Sequence, residues 1–131
     1  MFFLTDLLSF LAYFAGGIVA TVMYMFIYTR ITPYDEIALI KDNNQAAAIA
    51  FAGSLIGFIL AIASLIEHSI SLTGFALWSV VAILVQLLAY TGVRLLFPRI
   101  AERIQNNEVP AAIWLAACSI GAGLLNAASM T

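Results

Sequence analysis

Charge is nearly absent from this chain, and its absence excludes most of what a soluble domain does. Asp, Glu, Lys and Arg make up 9% of the 131 residues, where an ordinary globular protein carries about 25%. A soluble helix needs a polar face to meet water, and so little charge cannot cover one. Five basic residues and a net charge of -2 offer no phosphate footprint, so nucleic acid is not an expected partner. The single cysteine, Cys118, cannot form an internal disulfide. One histidine, His68, with no HExxH or CxxC spacing, leaves a metal site short of ligands. No Asp or Glu falls inside a long apolar run, so a proton or ion pump lacks its ionisable relay. No nucleophile–base pair stands out either. Neither catalytic residues nor a cofactor are expected.

What remains is apolar: 64% of the residues are hydrophobic and the mean hydropathy is +1.06. The charges gather in two clusters, Arg30 to Asp42 and Arg94 to Glu108, with Asp6 and Glu67 standing alone. They leave four uncharged stretches, 7–29, 43–66, 68–93 and 109–131. Each exceeds the roughly 20 residues a helix needs to cross about 30 Å of hydrocarbon. No strict alternation suggests barrel strands, and a helix satisfies its own backbone in lipid. The expected fold is all-α, a polytopic membrane protein with four transmembrane helices at about 7–29, 43–66, 69–97 and 109–130. The start of the chain has no basic residue and a long apolar run, which reads as a mature helix and not as a signal peptide.

All five Lys and Arg residues lie in the two loops 30–42 and 94–108. The positive-inside rule places both loops in the cytoplasm, with the two termini and the Glu67–Gly74 turn on the periplasmic side. The second loop allows either a solvated linker or a short amphipathic surface helix. In the helical case Leu95, Leu96, Ile100 and Ile104 would face lipid, and Arg99 and Arg103 would meet anionic headgroups. Phe2, Phe3, Tyr28, Tyr34 and Phe97 are expected as aromatic anchors near the interfaces.

The chain reads as two tandem hairpin units, 1–66 and 67–131, within one membrane domain. Asn43-Asn44-Gln45-Ala46-Ala47-Ala48-Ile49 resembles Asn106-Asn107-Glu108-Val109-Pro110-Ala111-Ala112-Ile113, with one residue inserted. Downstream, Ala52, Ile56, Gly57, Leu60 and Ala63 match Ala116, Ile120, Gly121, Leu124 and Ala127. Two crossings per unit make this a parallel repeat, not an inverted one. Asn44 and Asn107 are expected to cap the second and fourth helices, since an Asn before a helix accepts from a first-turn N–H.

These motifs also carry a family resemblance. Phe26-Ile27-Tyr28 through Thr32-Pro33, Asn43-Asn44 with Ala46-Ala47, Gly53 through Gly57, Gln86-Leu87-Leu88, Gly92-Val93-Arg94-Leu95 and Asn126-Ala127-Ala128-Ser129-Met130-Thr131 resemble the YjfL-type small inner-membrane proteins, domain of unknown function 350. The resemblance spans essentially the whole chain. It implies a bacterial inner-membrane protein of four helices in two tandem units, and it implies no reaction.

Two kinds of candidate residue emerge. Ala46, Ala50, Gly53, Gly57, Ala61 and Ser64 form a stripe of small side chains on the second helix. Ala117, Gly121 and Ala128 repeat it imperfectly on the fourth, where Trp114 and Leu125 interrupt. Small faces let helices approach closely in lipid, either inside the bundle or between copies. Asn44, Asn107, Gln86 and Asn126 are the polar candidates. Gln86 lies eight residues before Arg94, about 12 Å into the membrane. An unpaired amide there is costly, so a bond to Thr21, Tyr24 or Ser54 is expected. The leading reading is a structural or accessory membrane protein, bound to lipid, forming a homo-oligomer or holding a membrane-associated protein partner. The alternative is a passive channel or small-solute transporter built from several copies, with the polar candidates as waypoints.

Overall fold

The computed structural model describes residues 2–130; Met1 and Thr131, the last residue of the C-terminal motif, lie outside the described residues. The chain forms α1 (Phe2–Ile31), α2 (Glu36–Lys41), α3 (Gln45–His68), α4 (Leu72–Leu96), α5 (Ile100–Gln105) and α6 (Val109–Ser129). Among the described residues there is no strand. The fold is all-α, and α1, α3, α4 and α6 are long and apolar enough to cross a membrane.

The helix ends follow local chemistry. α1 and α4 stop shortly before Pro33 and Pro98, whose preceding residues are pushed out of helical geometry. Asp35 accepts from Ala38 N at 3.2 Å to start α2, and Ser71 accepts from Gly74 N at 3.1 Å to start α4. Asn43 and Asn107 each take a left-handed turn, with φ of 63° and 60°. Asn tolerates that region better than most residues.

Several expectations are corrected. The first charged loop contains a helix, α2. In the second loop Ile100 and Ile104 do not face lipid. They are 3% and 0% exposed and pack into the protein, while Leu95 and Leu96 stay exposed. Arg99 and Arg103 stay exposed as well, beside Glu102 and Glu108 at 3.7 and 3.0 Å. Tyr28 and Tyr34 are buried in the protein and are not interfacial anchors.

α2 and α5 begin 64 residues apart, as do α3 and α6 and the two left-handed asparagines. At that constant offset Asn43 corresponds to Asn107 with no insertion between them.

α3 is the central helix, touching α1, α4 and α6. Its stripe of small residues faces inward: Ala46, Ala50, Gly53, Gly57, Ala61 and Ser64 are all buried. A Cβ added to Gly53 would lie 2.4 Å from Ala116 Cβ, and one on Gly57 would lie 2.2 Å from the Ser119 carbonyl oxygen. From α6, a Cβ on Gly123 would meet the Gly57 carbonyl oxygen at 1.9 Å. These glycines are needed for the backbones to come so close. The face of α6 in this seam is Ala112, Ala116, Ser119 and Gly123. It is not the expected stripe: Ala117 is exposed, and nothing lies within 4 Å of a Cβ at Gly121.

Candidate functional site

Three polar sites sit on this frame. At one end of the α3–α6 seam the asparagines lock the two halves together. Asn44 caps α3, its Oδ1 accepting from Ala47 N at 2.9 Å. Its Nδ2 donates to the carbonyl oxygens of Ile104 and Gln105 at 3.3 and 3.1 Å, satisfying the end of α5. Asn107 does not cap α6, as its place in sequence suggests. Its Oδ1 accepts from Ala46 N at 2.9 Å and so caps α3 from the other half of the chain. α6 starts at Glu108 without a side-chain cap, with Pro110 in its first turn. Proline has no N–H there to satisfy.

Mid-bundle, Gln86 is 1% exposed. Its Nε2 donates to the Ser119 carbonyl oxygen at 2.7 Å, tying α4 to α6. The expected partners are engaged elsewhere. Tyr24 and Ser54 hydrogen-bond to each other, and Thr21 Oγ1 donates to Gly17 O at 2.8 Å. Gly57 leaves room for this amide, since a Cβ there would lie 2.6 Å from Gln86 Nε2. Gln86 Oε1 and Asn126 Nδ2 are buried without a hydrogen-bond partner.

The third site is one the sequence reading missed. Glu36 stands within a run of loop charges and reads there as solvated, yet it is 1% exposed. Thr32 Oγ1 donates to its Oε2 at 2.7 Å, and its Oε1 has no partner. Tyr28, Tyr34 and Tyr90 surround it and are also buried. None of their three hydroxyls has a partner in bonding geometry, although Arg94 lies close to Tyr34 and Tyr90. Tyr28 and Tyr90 meet edge to face at 5.3 Å. Burial pushes the Glu36 carboxyl above its ordinary range; the Thr32 hydroxyl and a backbone N–H pull it back in part. Burial also pushes the Tyr34 phenol up, helped by Tyr90 and Glu36 and opposed by Arg94. The cluster is a protonatable acid with phenol donors beside it, joining α1, α2 and α4. The one signal in sequence was the concentration of Tyr and Thr around a single Glu at the end of an apolar run.

His68 Nδ1 lies 2.9 Å from the Ser64 carbonyl oxygen. Among the described residues no three His, Cys, Asp or Glu side chains gather to hold a metal.

Comparison with known proteins agrees with this architecture. The chain is 38% identical over 131 residues to the UPF0719 inner membrane protein YjfL of Escherichia coli (strain K12), covering all of this chain and 99% of that protein. It is 27% identical over 113 residues to the UPF0719 transmembrane protein YshE of Bacillus subtilis (strain 168), covering 82% and 81% of the two. No solved structure matches it. The model of the Domain of Unknown Function (DUF350) family matches residues 1–130, and the chain belongs to that family.

Proposed function

We propose that this protein is a structural or accessory component of the bacterial inner membrane, without chemistry of its own, acting by self-association or by holding a membrane-associated partner. The observation that carries this is how the polar residues are used. Asn44, Asn107 and Gln86 are committed to bonds inside the chain, and Gly53, Gly57 and Gly123 close the centre between α3 and α6. One copy is therefore a packed wall, and its largest free surface is apolar side chain on α1, α4 and α6. The names of the relatives support the inner membrane. The basic loops support an orientation with α2 and α5 in the cytoplasm and both termini in the periplasm.

Native mass spectrometry from lipid nanodiscs tests the association: oligomers are expected, and a monomer at every protein-to-lipid ratio would sink it. A C-terminal alkaline phosphatase fusion is expected to be active, and a silent one inverts the topology. The second reading is a passive channel formed between copies. It draws on the unpartnered Gln86 Oε1 and Asn126 Nδ2. Solute flux in proteoliposomes would favour it, and a tight membrane would remove it.

A further inference from the structure

We propose that Glu36 and the hydroxyls of Tyr28, Tyr34 and Tyr90 bind one monovalent alkali cation, which ties α2 to α1 and α4. This goes beyond the structural reading above and does not depend on it.

The chain builds the site by alternation. Along residues 31–36, Thr32, Tyr34 and Glu36 are buried, while Ile31, Pro33 and Asp35 are exposed. Near-extended backbone sends every second side chain to one face, and here that face turns into the protein. α1 meets it with Tyr28, 0% exposed, and α4 with Tyr90, 2% exposed. Thr32 Oγ1 holds Glu36 Oε2 at 2.7 Å, which leaves Oε1 for another partner. Oε1 and the three phenol oxygens are buried, and none of the four has a hydrogen-bond partner. Each phenol nevertheless lies within electrostatic reach of the carboxylate.

Buried polar atoms in folded proteins find partners, so four such oxygens in one place point to a shared centre. Three centres could serve, and charge separates them. A proton neutralises the acid but leaves the phenols as they are. A water molecule can bridge several of the oxygens, but it brings no charge to a carboxylate withdrawn from bulk water, where an unpaired ion is costly. A cation does both.

The surrounding charges set its valence. Asp35 is exposed at the mouth, and its side chain caps α2. Arg94 is half-buried close to Tyr34 and Tyr90. α3 also packs on α2, but its ionisable side chains, Glu67 and His68, stand at its far end. The site therefore offers one buried negative charge, and Arg94 opposes a second positive one. Divalent calcium takes six to eight oxygens, commonly from several acids, and among the described residues no three His, Cys, Asp or Glu side chains gather. An all-oxygen set also suits hard ions over those that prefer sulfur or imidazole. Tyr28 packs on the rings of Tyr24, Phe51 and Tyr90 at 5.8, 5.9 and 5.3 Å, so the occupant is ion-sized and not an organic cation.

The test melts the full chain in lipid nanodiscs, at fixed alkaline pH and ionic strength, in sodium, potassium or choline chloride. Sodium or potassium should raise the melting temperature saturably over choline, by about 4 °C at ten times the half-saturating concentration. Glu36→Gln should abolish the rise. Tyr90→Phe keeps the ring and removes one unpartnered oxygen, so it should fold at least as well in choline while its ion affinity falls about tenfold. Amide exchange across α2 should slow with the alkali ions and not with choline. Equal melting in all three salts would overturn the proposal and leave a water-bridged or protonated cluster. A rise that persists undiminished in both variants would overturn it as well, because the ion would then bind elsewhere. Neither result bears on self-association.

Discussion

α1 and α3 are both uninterrupted apolar helices, yet four of 30 residues are buried in the first and twelve of 24 in the second. Hydrophobicity cannot explain the difference, because in lipid an apolar side chain gains little by moving from tail to protein. Size explains it: eight of the twelve buried residues of α3 are Gly, Ala or Ser. α1 turns bulky residues such as Phe10, Phe14 and Val22 outward and fully buries only Gly17, Ala20, Tyr24 and Tyr28. Tyr24 stacks on Phe58 at 4.4 Å and bonds Ser54, so even this limited contact is specific. In this protein position in the bundle follows from how near a backbone can be approached.

The sharpest way to break the comparison is Gly57→Leu, whose new side chain has no space against the Ser119 carbonyl and the Gln86 amide. A loss of about 3 kcal/mol or more is expected, read as a collapse of thermal stability in detergent. An unchanged melting temperature would show that the α3–α6 approach is not close. Next is Asn44→Ala, which removes the cap of α3 and two bonds to the end of α5. About 1–2 kcal/mol should be lost, with faster amide exchange at Ala46 and Ala47.

Glu36→Gln sharpens the comparison at the membrane edge. The Glu36 carboxyl is held above its ordinary value of 4.5 in the folded chain. Above that ordinary value the unfolded state has released a proton that the folded state keeps, so stability falls as pH rises until the folded group also ionises. Melting curves should show this decline upward from the ordinary carboxylate range, and Glu36→Gln should flatten it. A wild type whose stability rises with pH across that window would refute the buried acid. The smallest effect belongs to Leu8→Ala on the outer side of α1, where 60% of Leu8 is exposed. Its cost should stay within about 0.5 kcal/mol, and a larger one would mean that α1 is covered.

Much of the fold could be read along the chain because charge and length mark a membrane helix directly. The spacing of the charged clusters places all four long helices, and Asn44 announces the start of α3. The small stripe through Gly53 and Gly57 has one consistent face, and that face is buried. α6 is harder. Small residues occur both at Ala117 and Gly121 and at Ala116, Ser119 and Gly123, and composition alone does not say which set meets α3. The two six-residue helices were invisible or ambiguous because a loop segment that short shows no reliable period. Asn107 misleads for another reason: its side chain serves a helix 61 residues away.

From the residues alone came the solvent, the number of crossings and the pattern of helix ends, because these depend on transfer into lipid and on chemistry within one turn of helix. The folded molecule decided which of two small faces of α6 is used, whom Asn107 and Gln86 bond, and that Glu36 lies buried among tyrosines. Each of these is a matter of which backbone comes near which, and in a solvent as apolar as the helices themselves only side-chain shape and long-range hydrogen bonds make that choice.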